Sequence, residues 1–123
     1  MPGTVYVIDD DDAVRDSIRL LLECAGFRAE EFATSAEFLQ RAAPQEGHSC
    51  IVTDMHMPGV SGLALIETIR RRDALIPIIA MTGRPDASLR DALREAGITL
   101  LVKPFPPDDL IGAVAKALRS RLH

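Results

Sequence analysis

The stretch Cys50-Ile51-Val52-Thr53-Asp54-Met55-His56-Met57-Pro58-Gly59-Val60-Ser61-Gly62 is an apolar run that ends abruptly on an acid. Ile51 and Val52 read as the end of a buried strand, and Pro58, Gly59 and Gly62 force a loop before a helical pattern resumes at Leu63. In open parallel α/β sheets the ligand site lies beyond the carboxyl ends of the strands, so Asp54 falls on the rim where sites form. Asp is equally at home initiating a turn or capping a helix, and Asp54 alone does not separate the two readings. The other strand ends have to decide.

Upstream, Thr4-Val5-Tyr6-Val7-Ile8 is a run of buried-strand type that stops on Asp9-Asp10-Asp11-Asp12. Val14, Ile18, Leu21, Leu22 and Ala25 then follow the spacing of an amphipathic helix, which Asp11 or Asp12 can cap and Gly26 ends. The segment Phe27 to Phe32 alternates weakly, as a short half-exposed strand does. Thr34-Ser35-Ala36-Glu37 has the form of a capping box and predicts a helix through Phe38, Leu39 and Ala42 until Pro44 stops it.

Downstream, Leu63, Ile66 and Ile69 fall on one helix face, and Arg70-Arg71-Arg72 form its last turn. Basic residues there suit the negative end of the helix dipole, a solvated role rather than a phosphate or nucleic-acid site. Ile76-Pro77-Ile78-Ile79-Ala80-Met81 is a fourth strand ending on Thr82-Gly83. Pro85 and Asp86 start a helix with Leu89, Leu93 and Ala96 inward and Arg84, Arg90 and Arg94 outward, closed by Gly97. Ile98 to Val102 is the fifth strand and ends on Lys103-Pro104-Phe105. Asp108 and Asp109 open a last helix with Leu110, Ile111, Val114, Ala117 and Leu118 buried and Arg119 and Arg121 at its close.

Strands alternating with helices imply right-handed crossovers and a parallel sheet covered on both faces, and five such units are too few for an eightfold barrel. The expected fold is α/β: a flavodoxin-like, doubly wound five-stranded parallel sheet of order 2-1-3-4-5 with five helices, one domain over residues 1–123. With 47% hydrophobic and 26% charged residues the composition is that of a globular domain. A net charge of -4 argues against a nucleic-acid surface, which shows a basic stripe. Cys24 and Cys50 sit inside apparent helix and strand patterns, which predicts two buried thiols in a reducing cytosol rather than a disulfide. No apolar run approaches a membrane span or carries the flank of a signal peptide, so a cytoplasmic chain with no membrane partner is expected.

In the 2-1-3-4-5 order the polar strand ends converge: Asp9 and Asp10 after strand one, Asp54 after strand three, Thr82 after strand four and Lys103 after strand five. The second strand contributes none. Three carboxylates on one rim repel one another unless a cation compensates, and hard oxygen ligands without clustered His or Cys suit Mg²⁺, with Mn²⁺ as a substitute. Asp10 and Asp54 are the expected direct ligands, the backbone carbonyl of His56 a third, and Asp9 the holder of a metal-bound water. A carboxylate beside a metal can attack phosphorus and form an aspartyl phosphate, and Asp54 is the candidate. Lys103 would stabilise charge on the phosphoryl oxygens, and the Thr82 hydroxyl would donate to one of them.

With these residues in view, the whole chain resembles the receiver domain of two-component response regulators. The carrying motifs are Val7-Ile8-Asp9-Asp10, Asp54-Met55-His56-Met57-Pro58-Gly59 with Ser61-Gly62, Met81-Thr82-Gly83, and Lys103-Pro104-Phe105. Val14-Arg15 with Ser17, Ser35-Ala36-Glu37 with Phe38-Leu39, and Val52-Thr53-Asp54 are closest to the FixJ-like branch. The resemblance implies self-catalysed phosphotransfer to Asp54 from a sensor histidine kinase or phosphotransfer protein, slow autodephosphorylation, a switch hydroxyl at Thr82 and a phosphate-pairing Lys103. It also implies a cis peptide before Pro104 that aims Lys103 into the site.

Two positions depart from, or add to, that pattern. Many receivers carry an aromatic three residues before the lysine, where this chain has Leu100, so the aromatic read-out is absent. His56, two residues after Asp54, is expected as a surface loop side chain over the site. The resemblance further implies that the phosphate switches the face of helix four, strand five and helix five, here with Arg84, Arg90, Asp91, Arg94 and Leu100, and promotes homodimerisation through helix four and strand five. Helix five is expected to run to Leu122; a FixJ-like parent continues into a helix-turn-helix domain, so DNA binding is not assigned to these residues.

Three other readings compete. A pseudo-receiver, a constitutive interaction module, has the same fold without phosphorylation. A haloacid-dehalogenase-type phosphatase wants Thr or Val four residues after its first Asp, where Ala13 stands. A flavodoxin needs a Ser/Thr/Gly-rich phosphate loop after strand one and aromatic rings to stack on flavin, and this chain has acids there, no Trp and one Tyr.

Overall fold

The structure, a computed structural model, describes residues 3–41, 48–57 and 59–121. In chain order its elements are β1 (Thr4–Ile8), α1 (Asp12–Cys24), β2 (Arg28–Phe32), α2 (Ser35–Arg41), β3 (Ser49–Asp54), β4 (His56–Met57), β5 (Val60–Ser61), α3 (Gly62–Arg72), β6 (Ile78–Thr82), α4 (Ala87–Glu95), β7 (Thr99–Val102) and α5 (Pro107–Arg121). The main sheet has the order β2-β1-β3-β6-β7, with every pairing parallel. Counting the strands of that sheet alone, this is the expected 2-1-3-4-5 arrangement. β4 and β5 form a separate antiparallel hairpin within the segment expected as a loop.

The inner strands β1, β3 and β6 are buried on both faces because they are largely apolar on both, whereas the edge strand β2 exposes Arg28 and Glu30. Tyr6 and Ile8 of β1 join Ile51, Ile78 and Ala80 in a core that also takes Phe38 of α2, Leu65, Ile66 and Ile69 of α3, and Leu93 of α4. Val5 and Val7 point the other way, to Val52, Ile79 and Met81, with Ile18 and Leu22 of α1 and Leu110, Val114 and Leu118 of α5. Successive strand residues face opposite sides, so one continuous apolar run serves two cores.

The caps follow the chemistry expected of them. The Asp11 carboxylate accepts from the N–H groups of Ala13 and Val14 at the head of α1, and Asp86 accepts from Leu89 at the head of α4. Gly26 and Gly97 end these two helices at φ of +95° and +72°, the left-handed region that glycine enters freely. At α2 the Glu37 N–H donates to Thr34 Oγ1 at 3.1 Å, while the Glu37 carboxylate accepts from Ala33 at 3.1 Å, one residue outside the standard capping box. Ala42, Pro44 and Leu122, each part of a helix-end expectation, lie outside the described residues, as does Pro58.

Several expectations are corrected. The fourth strand of the sheet starts at Ile78, not Ile76: Pro77 has no N–H for a ladder, although its carbonyl accepts from Ile51 at 3.0 Å. Thr82 belongs to that strand rather than following it, and the last strand begins at Thr99. The buried stripe of α3 is Leu65, Ile66 and Ile69, whereas Leu63, on the first turn, is 43% exposed. Ala25 and Ala96 are exposed C-cap residues, past the last turn that packs on the sheet. Cys24 is exposed and only Cys50 is buried, because Cys24 falls off the stripe occupied by Ile18 and Leu22.

Candidate functional site

The carboxyl ends of four of the five sheet strands meet at one rim. Asp9 follows β1, Asp54 ends β3, Thr82 ends β6 and Lys103 follows β7. Backbone bonds tie these ends together: Met55 N–H donates to the Met81 carbonyl at 2.9 Å, and Lys103 N–H to the Thr82 carbonyl at 2.7 Å. The Lys103-Pro104 peptide is cis, as expected.

Asp9, Asp10 and Asp54 each offer a carboxylate oxygen within 4.8 Å of the others. Asp9 and Asp54 are buried, while Asp10 is exposed at the mouth. The Lys103 ammonium reaches into the cluster, 3.2 Å from Asp9 Oδ2 and 3.7 Å from Asp54 Oδ2. Burial pushes the Asp54 carboxyl above the usual carboxylate range; the His56 N–H and Lys103 oppose that shift, and the Asp9 and Asp10 charges add to it. One ammonium among three carboxylates leaves negative charge unbalanced. An all-oxygen donor set of this kind fits Mg²⁺.

Thr82 and His56 are arranged differently from expectation. His56 is exposed, as predicted, but it belongs to strand β4 rather than to a loop, and its ring Nε2 lies 2.6 Å from Thr82 Oγ1. Thr82 Oγ1 also accepts from the Arg84 N–H at 3.0 Å. The hydroxyl proposed for a phosphoryl oxygen therefore already has two partners. The His56 N–H donates to Asp54 Oδ1 at 3.2 Å, so this one residue touches both the acid and the hydroxyl. Leu100 pairs with Ala80 across β7 and β6 and packs, partly buried, on the α4 side of the sheet.

A cleft of about 780 Å³ opens over the rim, and its lining includes the charged Asp10, Asp54 and Lys103 and the apolar Met57, Leu63 and Leu89. The apolar part of that lining was not anticipated. Leu63, expected on one helix face with Ile66 and Ile69, stands exposed on the first turn of α3 beside the site. A second feature absent from the sequence reading lies behind β1, where Arg15 donates to the Asp9 carbonyl at 2.7 Å and to Glu31 of β2 at 3.1 Å. The second strand thus reaches the site indirectly.

The doubly wound sheet and this rim of acids, hydroxyl and lysine define a class. Residues 5–115 match the family model described as the response regulator receiver domain, and the chain belongs to that family. Among relatives, the transcriptional regulatory protein FixJ of Azorhizobium caulinodans is 42% identical over 115 residues, covering 93% of this chain and 54% of FixJ. FixJ of Bradyrhizobium diazoefficiens is 38% identical, covering 95% of this chain and 57% of its own length. The solved structure of the response regulator StyR superposes with a TM-score of 0.87 at 37% identity, covering 98% of this chain and 61% of StyR. The chain spans about half the length of the curated relatives it matches. These relatives agree with the FixJ-like branch indicated by the sequence. Among the described residues no helix is long and apolar enough to cross a membrane.

Proposed function

We propose that residues 1–123 form one phosphoacceptor receiver domain that works in the cytoplasm and takes its phosphoryl group on Asp54 from a phosphohistidine of a sensor kinase or phosphotransfer protein. The observation that carries this reading is the meeting of Asp9, Asp10 and Asp54 with Lys103, where Asp10, Asp54 and Lys103 line an open cleft. An Asp54 Oδ attacks phosphorus in line with the departing imidazole nitrogen; the new P–O bond forms as the P–N bond breaks, and the leaving imidazole keeps a proton. Mg²⁺, held by Asp10, Asp54 and the His56 carbonyl with Asp9 acting through water, would neutralise charge on the acids and the phosphoryl oxygens. Lys103 moves from Asp9 and Asp54 to a phosphoryl oxygen. Thr82 donates its hydroxyl to another, giving up His56.

The stored phosphate is a local charge change that biases a two-state surface. The face of α4, β7 and α5 carries that bias, with Arg84, Arg90 and Arg94 exposed on it, and phosphorylation promotes homodimerisation through α4 and β7 and control of transcription by a linked or partner output module. The test is intact mass after incubation with acetyl phosphate and Mg²⁺, beside Asp54→Asn and a metal-free control, with sedimentation of the same samples. Metal-dependent uptake of one phosphoryl group that is lost in Asp54→Asn, with a heavier sedimenting species in the phosphorylated sample alone, is expected. No uptake, or uptake indifferent to the substitution, points instead to a constitutive interaction module. Dimerisation that ignores phosphorylation removes the dimer from the reading.

A further inference from the structure

Arg15 lies behind the acidic loop, its side chain 12% exposed. Its guanidinium spends its donors on three acceptors from three places. Nη1 donates to the Asp9 carbonyl at 2.7 Å, Nε to Glu31 Oε1 at 3.1 Å, and Nη2 to Asp12 Oδ1 at 2.6 Å. Glu31 is itself held, since Arg19 Nε donates to its other oxygen. This anchor sits on β2, the strand that sends no residue of its own to the rim.

The Asp9 carbonyl belongs to the peptide that leads into Asp10. Because that unit is planar, fixing its oxygen fixes the direction in which the chain leaves β1. On the far side of Asp10, the Asp11 N–H donates to Asp9 Oδ1 at 2.9 Å and the Asp11 carboxylate caps α1. The Asp10 side chain is exposed and has no hydrogen-bond or ion-pair partner among the described residues. Its convergence on Asp9 and Asp54 is therefore inherited from the backbone on either side.

We propose that Arg15, anchored by Glu31, is a positioning residue for the cation site, aiming the Asp10 carboxylate through the Asp9 carbonyl. This rests on the Mg²⁺ reading above and assigns how its most exposed ligand is held. Charge and position predict opposite outcomes when Arg15 is removed. A guanidinium near three acids repels a divalent cation, so charge alone makes Arg15→Gln bind Mg²⁺ more tightly. Loss of aim makes it bind more weakly. Lys at this position keeps the charge but lacks the planar fork that serves three acceptors at once.

The experiment is a Mg²⁺ titration of the unphosphorylated chain, read from amide chemical shifts around Asp9 to Asp12 and Asp54, with wild type, Arg15→Gln, Arg15→Lys and Arg19→Gln. Arg19→Gln removes the same charge from the same helix and the same Glu31 partner, yet does not touch Asp9. Arg15→Gln is expected to weaken Mg²⁺ binding about tenfold, the scale of groups that orient metal ligands, with Arg15→Lys weakened as well and Arg19→Gln close to wild type. Should Arg15→Gln fail to fold, Arg15→Lys against Arg19→Gln decides the matter. Unchanged or tighter binding in the Arg15 variants overturns the positioning role while leaving the Mg²⁺ site standing. Absence of binding by wild type overturns both.

Discussion

Burial pushes the Asp54 carboxyl up, the His56 N–H and Lys103 pull it down, and Asp9 and Asp10 push it up again, with the rise prevailing. An acid whose folded pKa lies above its unfolded value contributes stability that is present below the unfolded pKa, about 3.9 for Asp, and lost as pH rises through the folded pKa. Above the unfolded pKa and without metal, then, placing charge on Asp54 works against the fold. Asp54→Asn, which cannot ionise, should melt higher than wild type at pH 7 in EDTA, with the difference shrinking as pH approaches 4; a variant that melts lower at pH 7 would show that the Lys103 contact outweighs burial. Asp9, Asp10, Asp54, Thr82 and Lys103 were legible in the sequence because each ends a strand or follows one within two residues, and strand order alone brings strand ends together. The bond from His56 to Thr82 and the Arg15 fork were not. They join residues whose types are common on surfaces, across separations that no local period encodes.

At the scale of elements, the head of α3 shows what periodicity misses. Leu63, Ile66 and Ile69 satisfy a helical spacing, but Leu65, Ile66 and Ile69 satisfy it equally, and only the docking of α3 against β3 and the hairpin chooses between them. That docking is close: a Cβ on Gly62 would lie 2.9 Å from the Cα of Met55, a backbone atom next to Asp54. Gly62→Ala should therefore destabilise the chain by about 1–3 kcal/mol, the scale of overpacking, seen as a lower urea midpoint. Gly112, inside α5 with nothing within 4 Å of its would-be Cβ, is the counterpart, and Gly112→Ala should raise stability by about 0.5–1 kcal/mol through helix propensity. Equal effects of the two substitutions would mean that the approach of α3 to β3 is looser than described. The β4–β5 hairpin had no readable signal, since Pro58 and Gly59 mark a turn without revealing that its flanks pair.

For the molecule as a whole, topology was the most legible property. Five strand patterns, four of them apolar runs and one half-exposed, alternating with five amphipathic helices leave few ways to cover a parallel sheet on both faces, and the observed order is the expected one. The fate of the cysteines was half legible, and the half that was misread has a use. The chain has two thiols, one on the solvent side of α1 and one sealed in the sheet, where burial pushes the Cys50 thiol up to about 12. Only thiolates react at appreciable rates, so a maleimide or disulfide reagent at pH 7 should modify Cys24 alone in the native protein and both positions in denaturant. Two equivalents taken up promptly under native conditions would mean that the sheet opens far more readily than its packing implies. The fold thus carries its own gauge: a first thiol that answers at once, and a second whose slow reply times the opening of the β-sheet without any label having been engineered.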